Sequence, residues 1–81
     1  MAKNLTKQDV AELILDILVK DLASQPGNLV PDQALRNEYR KRGGDSADIK
    51  IGLKYAAEKE WLTYDRSKDA WYLTELGYKY P

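Results

Sequence analysis

Two helix-breaking pairs, Pro26-Gly27 and Gly43-Gly44, divide this chain of 81 residues into three stretches that no continuous helix can join. Proline has no amide hydrogen and its ring clashes with the preceding turn, while glycine readily adopts the left-handed backbone that ends helices. The helix length available to any one stretch is therefore short. The chain as a whole is predicted to be one domain, residues 1–81, built around one core.

In the first stretch, Thr6 is placed to cap a helix, with Asp9 three residues on as its capping-box partner. The apolar spacing predicts a helix over residues 7–24, with Val10, Ile14, Ile17 and Leu18 as its core stripe. Leu13, Leu15, Val19 and Leu22 widen the stripe, and Glu12, Asp16 and Lys20 mark the wet side. So broad an apolar arc fits a central helix covered on several sides. It also fits a homodimer in which a second copy packs against the first helix. The first reading is the simpler one.

The second stretch opens with an extended piece, Asn28-Leu29-Val30, because a residue before proline is pushed toward β geometry. A second helix is expected over 31–42, with Pro31 in its first turn. Ala34, Leu35 and Tyr39 face inward, and Gln33, Arg36, Asn37 and Arg40 outward. Arg40-Lys41-Arg42 then stands at the helix C-terminus, where the dipole favours cations.

The third stretch begins with Asp45 or Ser46 as N-cap and Asp48 in the first turn of a helix expected over 46–60. Ile49, Leu53 and Ala56 share one side, with Ala57 at its edge. Lys50, Ile51, Lys54 and Glu58 share the other. Gly52 costs about 1 kcal/mol relative to alanine in a helix. Its presence suggests the close approach of another backbone, more readily a neighbouring helix than a phosphate. Residues 61–65 and 70–74 alternate as strands around the polar turn 66–69, giving a β-hairpin over 61–74. Thr74-Glu75-Leu76-Gly77 reads as a capped helical turn. The expected fold class is α+β, mainly α: a three-helix core with a C-terminal β-hairpin.

The chain contains no Cys and no His, which removes thiol nucleophiles, imidazole bases and the nitrogen and sulfur ligands of zinc. Gly43-Gly44 lacks the lysine and hydroxyl residue of a phosphate-binding loop. No catalytic residue, metal, cofactor or small-molecule substrate is expected, and the chain is read as a non-enzyme. A cysteine-free chain suits a reducing compartment, and MAKNLTKQDV carries no apolar leader, so the expected location is cytoplasmic. The first helix is too short and too charged to enter a membrane.

Thirteen basic and thirteen acidic residues cancel. Their distribution is uneven: residues 36–54 carry six basic and three acidic side chains, whereas the segments on either side are net acidic. The cations therefore concentrate around Gly43-Gly44.

Three helices, an extended piece between the first two, and a hairpin with a basic tip follow the order of a winged helix-turn-helix domain. The closest residue match is Ala57-Glu58-Lys59-Glu60-Trp61-Leu62, a polar turn, then Tyr72-Leu73-Thr74-Glu75-Leu76-Gly77. This resembles the end of many bacterial winged-helix domains, where helix, apolar strand, hairpin and an aromatic–Leu–Thr–x–x–Gly run close the fold. Two departures stand out. Glu60 occupies the place where that family often has glycine, and the net charge is neutral.

The resemblance implies a double-stranded DNA-binding domain of a transcriptional regulator, with the third helix in the major groove and the wing on the backbone. It implies a reading face of Ser46, Ala47, Lys50, Ile51, Lys54 and Tyr55. The wing tip would be Arg66, Ser67 and Lys68, with Arg36, Arg40 and Arg42 flanking as phosphate contacts. Ser46 and nearby amides at a helix N-terminus suit a phosphate. The alternative is a winged-helix protein–protein interaction module that does not bind DNA, since fold alone does not set function.

Overall fold

The structure, a computed structural model, describes residues 6–80, and at Ser46 the backbone alone. The chain forms α1 (Lys7–Asp16), continued by a π-helical segment (Ile17–Asp21), β1 (Leu29–Pro31), α2 (Asp32–Lys41), α3 (Ser46–Glu58), β2 (Leu62–Asp65), β3 (Ala70–Leu73) and α4 (Glu75–Lys79). The fold is α+β and mainly helical, with one antiparallel sheet in the order β1-β3-β2.

The α1 capping box is complete. The Asp9 amide donates to Thr6 Oγ1 and the Thr6 amide to Asp9 Oδ2, both at 3.1 Å. The helix expected over 7–24 differs in its second half. Past Asp16 it widens to π geometry, the Leu22 amide bonding Ile17 O at 2.9 Å, and it ends at Ala23, which takes a left-handed φ of 49°. The helix therefore stops ahead of Pro26.

The breadth of its apolar face is used within the chain. Val10, Ile14, Leu15, Ile17 and Leu18 are buried, and Leu13, Val19 and Leu22 pack partly buried against the same core. Among the described residues, α1 exposes no large apolar side chain to a second copy.

Pro31 ends β1 and caps α2 rather than entering its first turn. Pairing is the reason: Pro31 lies opposite Ala70, and the Asp32 amide donates to Asp69 O at 3.0 Å. The hairpin contracts to 62–65 and 70–73, and β1 joins the far side of β3. Val30, Leu62, Trp71 and Leu73 alternate onto the core face of this sheet.

α2 ends in a Schellman turn, Gly43 at φ 86° and the Gly44 amide bonded to Tyr39 O at 3.0 Å. A Cβ on Gly44 would overlap the buried Tyr39 ring, so the turn into α3 is pressed against the core. α3 ends in the same manner two residues earlier than expected. The Trp61 amide bonds Ala56 O at 2.9 Å, and Glu60 takes the left-handed position at φ 64°.

Thr74 ties the last elements together. Its amide donates to Trp61 O at 3.0 Å, and its Oγ1 accepts from the Gly77 amide at 3.1 Å. Gly77 crosses the Trp61 carbonyl so closely that no Cβ fits. Tyr80 then lies on the Trp61 ring, centroids 4.2 Å apart. No helix among the described residues is long and apolar enough to cross a membrane.

Candidate nucleic-acid interface

α3 starts at Asp45, whose carboxylate accepts the Ala47 amide at 2.9 Å. Its buried side is Ile49, Gly52, Leu53 and Ala56, seated on α1. Its outer side is a stripe of exposed residues at three- and four-residue spacing: Ala47, Lys50, Ile51, Lys54 and Glu58. Ile51 is 53% exposed, which is high for an isoleucine on a helix with an apolar partner face.

Tyr55 stands beside this stripe and is half-buried. Its ring meets Trp61 edge-on at 5.8 Å, and the ammonium groups of Lys59 and Lys7 lie 5.5 and 5.7 Å from its centre. Tyr55 is chiefly a packing residue. Lys7, Ile51, Lys54, Tyr55 and Glu58 line a small depression of about 280 Å³. Lys7 reaches this place only because α1 packs on α3, and nothing in its local sequence signals that.

The β2–β3 turn is built by Asp65. Its Oδ1 accepts the Ser67 hydroxyl at 2.7 Å and the Ser67 amide at 3.0 Å, bonds that hold the Asp65 carboxyl below the usual carboxylate range. Ser67 is thus committed to the turn. Arg66 and Lys68 are exposed at the tip.

The flanking arginines divide. Arg40 is exposed on the outer side of α2. Arg36 Nε bonds Asp32 Oδ2 at 2.7 Å, and Asp32 Oδ1 takes the Trp71 indole N–H at 2.8 Å. That chain of bonds ties α2 to β3, so Arg36 serves the fold. Arg42 reaches back to the π-helical segment. Its Nε meets Asp21 Oδ2 at 2.8 Å and its Nη2 meets Asp16 Oδ2 at 2.9 Å. The wider π turn sets Asp16 and Asp21, five apart, on one side where a single guanidinium spans both.

Among the described residues, the ion pairs take in Lys20, Arg36, Lys41 and Arg42, and none involves Arg40, Lys50, Lys54, Arg66 or Lys68. The expected set of twelve residues therefore contains two structural arginines. It also contains one serine, Ser46, whose side chain lies outside the described residues. At the α3 N-terminus the Ala47 amide is already taken by Asp45, with Asp48 close by in the first turn. The Asp45 carboxylate thus takes one of the amides for which the resemblance implies a phosphate.

Comparison with protein-family models, with curated proteins and with solved structures finds no match for this chain.

Proposed function

We propose that this chain is a winged-helix domain that binds double-stranded DNA and acts as a transcriptional regulator, with α3 in the major groove and the β2–β3 tip on the backbone. The observation that carries this reading is the partition of cations. Among the described residues, Lys20, Arg36, Lys41 and Arg42 are held in ion pairs within the chain, while Lys50 and Lys54 on the outer stripe of α3 and Arg66 and Lys68 on the wing tip are exposed and join none. Unpaired cations on a helix and a ribbon suit a polyanion, because releasing counterions from phosphates supplies most of the affinity.

The sheet order supports the same reading. The extended piece between α1 and α2 is a strand that pairs with the second hairpin strand and so braces the hairpin against the helices, in keeping with the order of elements on which the resemblance rests. Lys50, Lys54, Arg40, Arg66 and Lys68 form the contact set, with Lys7 added and Arg36 and Arg42 removed. Ile51 and Ala47 supply apolar contacts to base edges. One short helix buries little, so two copies on two half-sites bind more tightly than one.

The test is an anisotropy titration with mixed-sequence duplex DNA at low and moderate salt. With about 4–6 phosphates neutralised, log K falls against log salt with a slope of about −4 to −5. Lys54→Glu and Lys68→Glu each weaken binding and flatten that slope. Undiminished binding by both variants refutes the assigned surface.

A further inference from the structure

A groove of about 590 Å³ runs beside β2, between the last turn of α3 at Ala57 and the start of α4. Leu62, Thr63 and Tyr64 all line it. Successive strand residues point to opposite faces, so a hollow touched by all three reaches the edge of the strand. β2 is an edge strand in the order β1-β3-β2, and an edge offers backbone groups to an added strand. The groove is also apolar where it is exposed: Leu76 is 55% and Tyr64 39% accessible.

Its rim is acidic. Glu60 and Glu75 line it, both exposed, and neither joins an ion pair among the described residues. Glu60 is the informative one. It holds φ 64°, a left-handed position where a side chain costs about 1 kcal/mol and glycine costs nothing. The backbone of Glu60 ends α3 and its carbonyl accepts the Thr74 hydroxyl, duties that glycine would perform as well. Its carboxylate returns nothing to the fold; what it supplies is negative charge at the groove.

We propose that this groove docks an extended segment of a partner protein that carries alternating apolar and basic side chains. The segment adds a strand to the β2 edge. Its apolar side chains cover Tyr64 and Leu76, and its cations meet Glu60 and Glu75. A second copy of this chain is a poor occupant, because its own β2, Leu62–Asp65, carries no basic side chain to meet Glu60 and Glu75. Nucleic acid is repelled by the same rim. Docking at this groove does not depend on DNA binding.

The experiment is a titration of the intact chain with two synthetic decapeptides, one alternating Leu and Lys and one alternating Leu and Glu, read by amide chemical shifts. The Lys peptide is expected to shift the amides of Thr63, Tyr64 and Leu76 and slow amide exchange along β2, and the Glu peptide to leave them unchanged. Glu60→Gly should raise the melting temperature yet weaken the Lys peptide about threefold to fivefold, the worth of an exposed ion pair. Glu60→Gln, which keeps the backbone conformation, should weaken it equally. Leu76→Ala should weaken it about tenfold through lost apolar burial. Equal binding of both peptides, shifts confined to other elements, or unaltered affinity in Glu60→Gly overturns the proposal. Self-association through β2 that the Lys peptide fails to displace also overturns it and assigns the groove to a second copy.

Discussion

Gly52 of α3 and Val10 of α1 are in such close contact that no Cβ fits between the two helices. A methyl group at Gly52 would overlap Val10 Cγ1, and would lie 2.9 Å from Val10 Cβ and 3.0 Å from Ile14 Cδ1. This approach sets the depth at which α3 sits on α1, and with it how far the stripe of Lys50, Ile51 and Lys54 projects.

Gly52→Ala is therefore expected to destabilise the chain by about 1–3 kcal/mol through overpacking, although alanine is the better helix former by about 1 kcal/mol. Val10→Ala in the same molecule should restore part of that loss, giving a favourable coupling in a double-mutant cycle. Denaturant melts of the four proteins measure it. Additive effects would mean that the helices do not meet here.

Tyr39 is fully buried, and among the described residues its hydroxyl has no hydrogen-bond partner. Burial, then the charge of Asp48, pushes its pKa up, so the phenol stays neutral. An unsatisfied buried hydroxyl costs about 1–3 kcal/mol. Tyr39→Phe should leave stability unchanged or raise it by about 1 kcal/mol, as read from the urea midpoint. A marked loss would mean that the hydroxyl holds a bound water.

The Arg42 guanidinium, with Lys20 in support, holds the Asp16 carboxyl below the usual carboxylate range. A depressed folded-state pKa stabilises the fold above the unfolded value, near pH 4, and that contribution fades as pH falls through the folded value. Arg42→Gln should lower the melting temperature at pH 7. The gap to the parent should narrow as pH falls through the lowered folded-state value and close once Asp16 is protonated in both proteins. A gap that persists at low pH would assign Arg42 a role other than pairing.

Arg36 and Lys50 separate stability from binding. Arg36→Gln removes the ion pair that supports Asp32, the acceptor of the Trp71 indole N–H, and should lower stability while leaving the slope of log K against log salt unchanged. Lys50→Gln should leave stability within about 0.5 kcal/mol of the parent and reduce that slope by about 1. With no His or Cys in the chain, DNA affinity should stay flat between pH 6 and 8. Equal salt slopes for the parent and Lys50→Gln would remove Lys50 from the interface.

Local chemistry was readable where it acts over one turn. The Thr6–Asp9 box, the Asp45 cap, the Thr74 cap and the buried stripes of α1, α2 and α3 follow from hydrogen bonds and periodicities that span four residues or fewer. Glu60 was legible as a departure, and the left-handed turn it occupies explains why glycine is expected there.

What the amino-acid order determined by itself was the set of elements, their inner faces and the absence of His and Cys chemistry. Tertiary structure decided which cations remain available. Arg42 looks like Arg40 in sequence, but Asp16 and Asp21, more than twenty residues away, claim it. The same packing drew Lys7 beside α3, paired β1 with β3 and left the β2 edge open. The physical reason is range: caps and apolar periods are settled between neighbours on one turn, whereas ion pairs and strand pairs depend on which distant segments the core brings within a few ångströms.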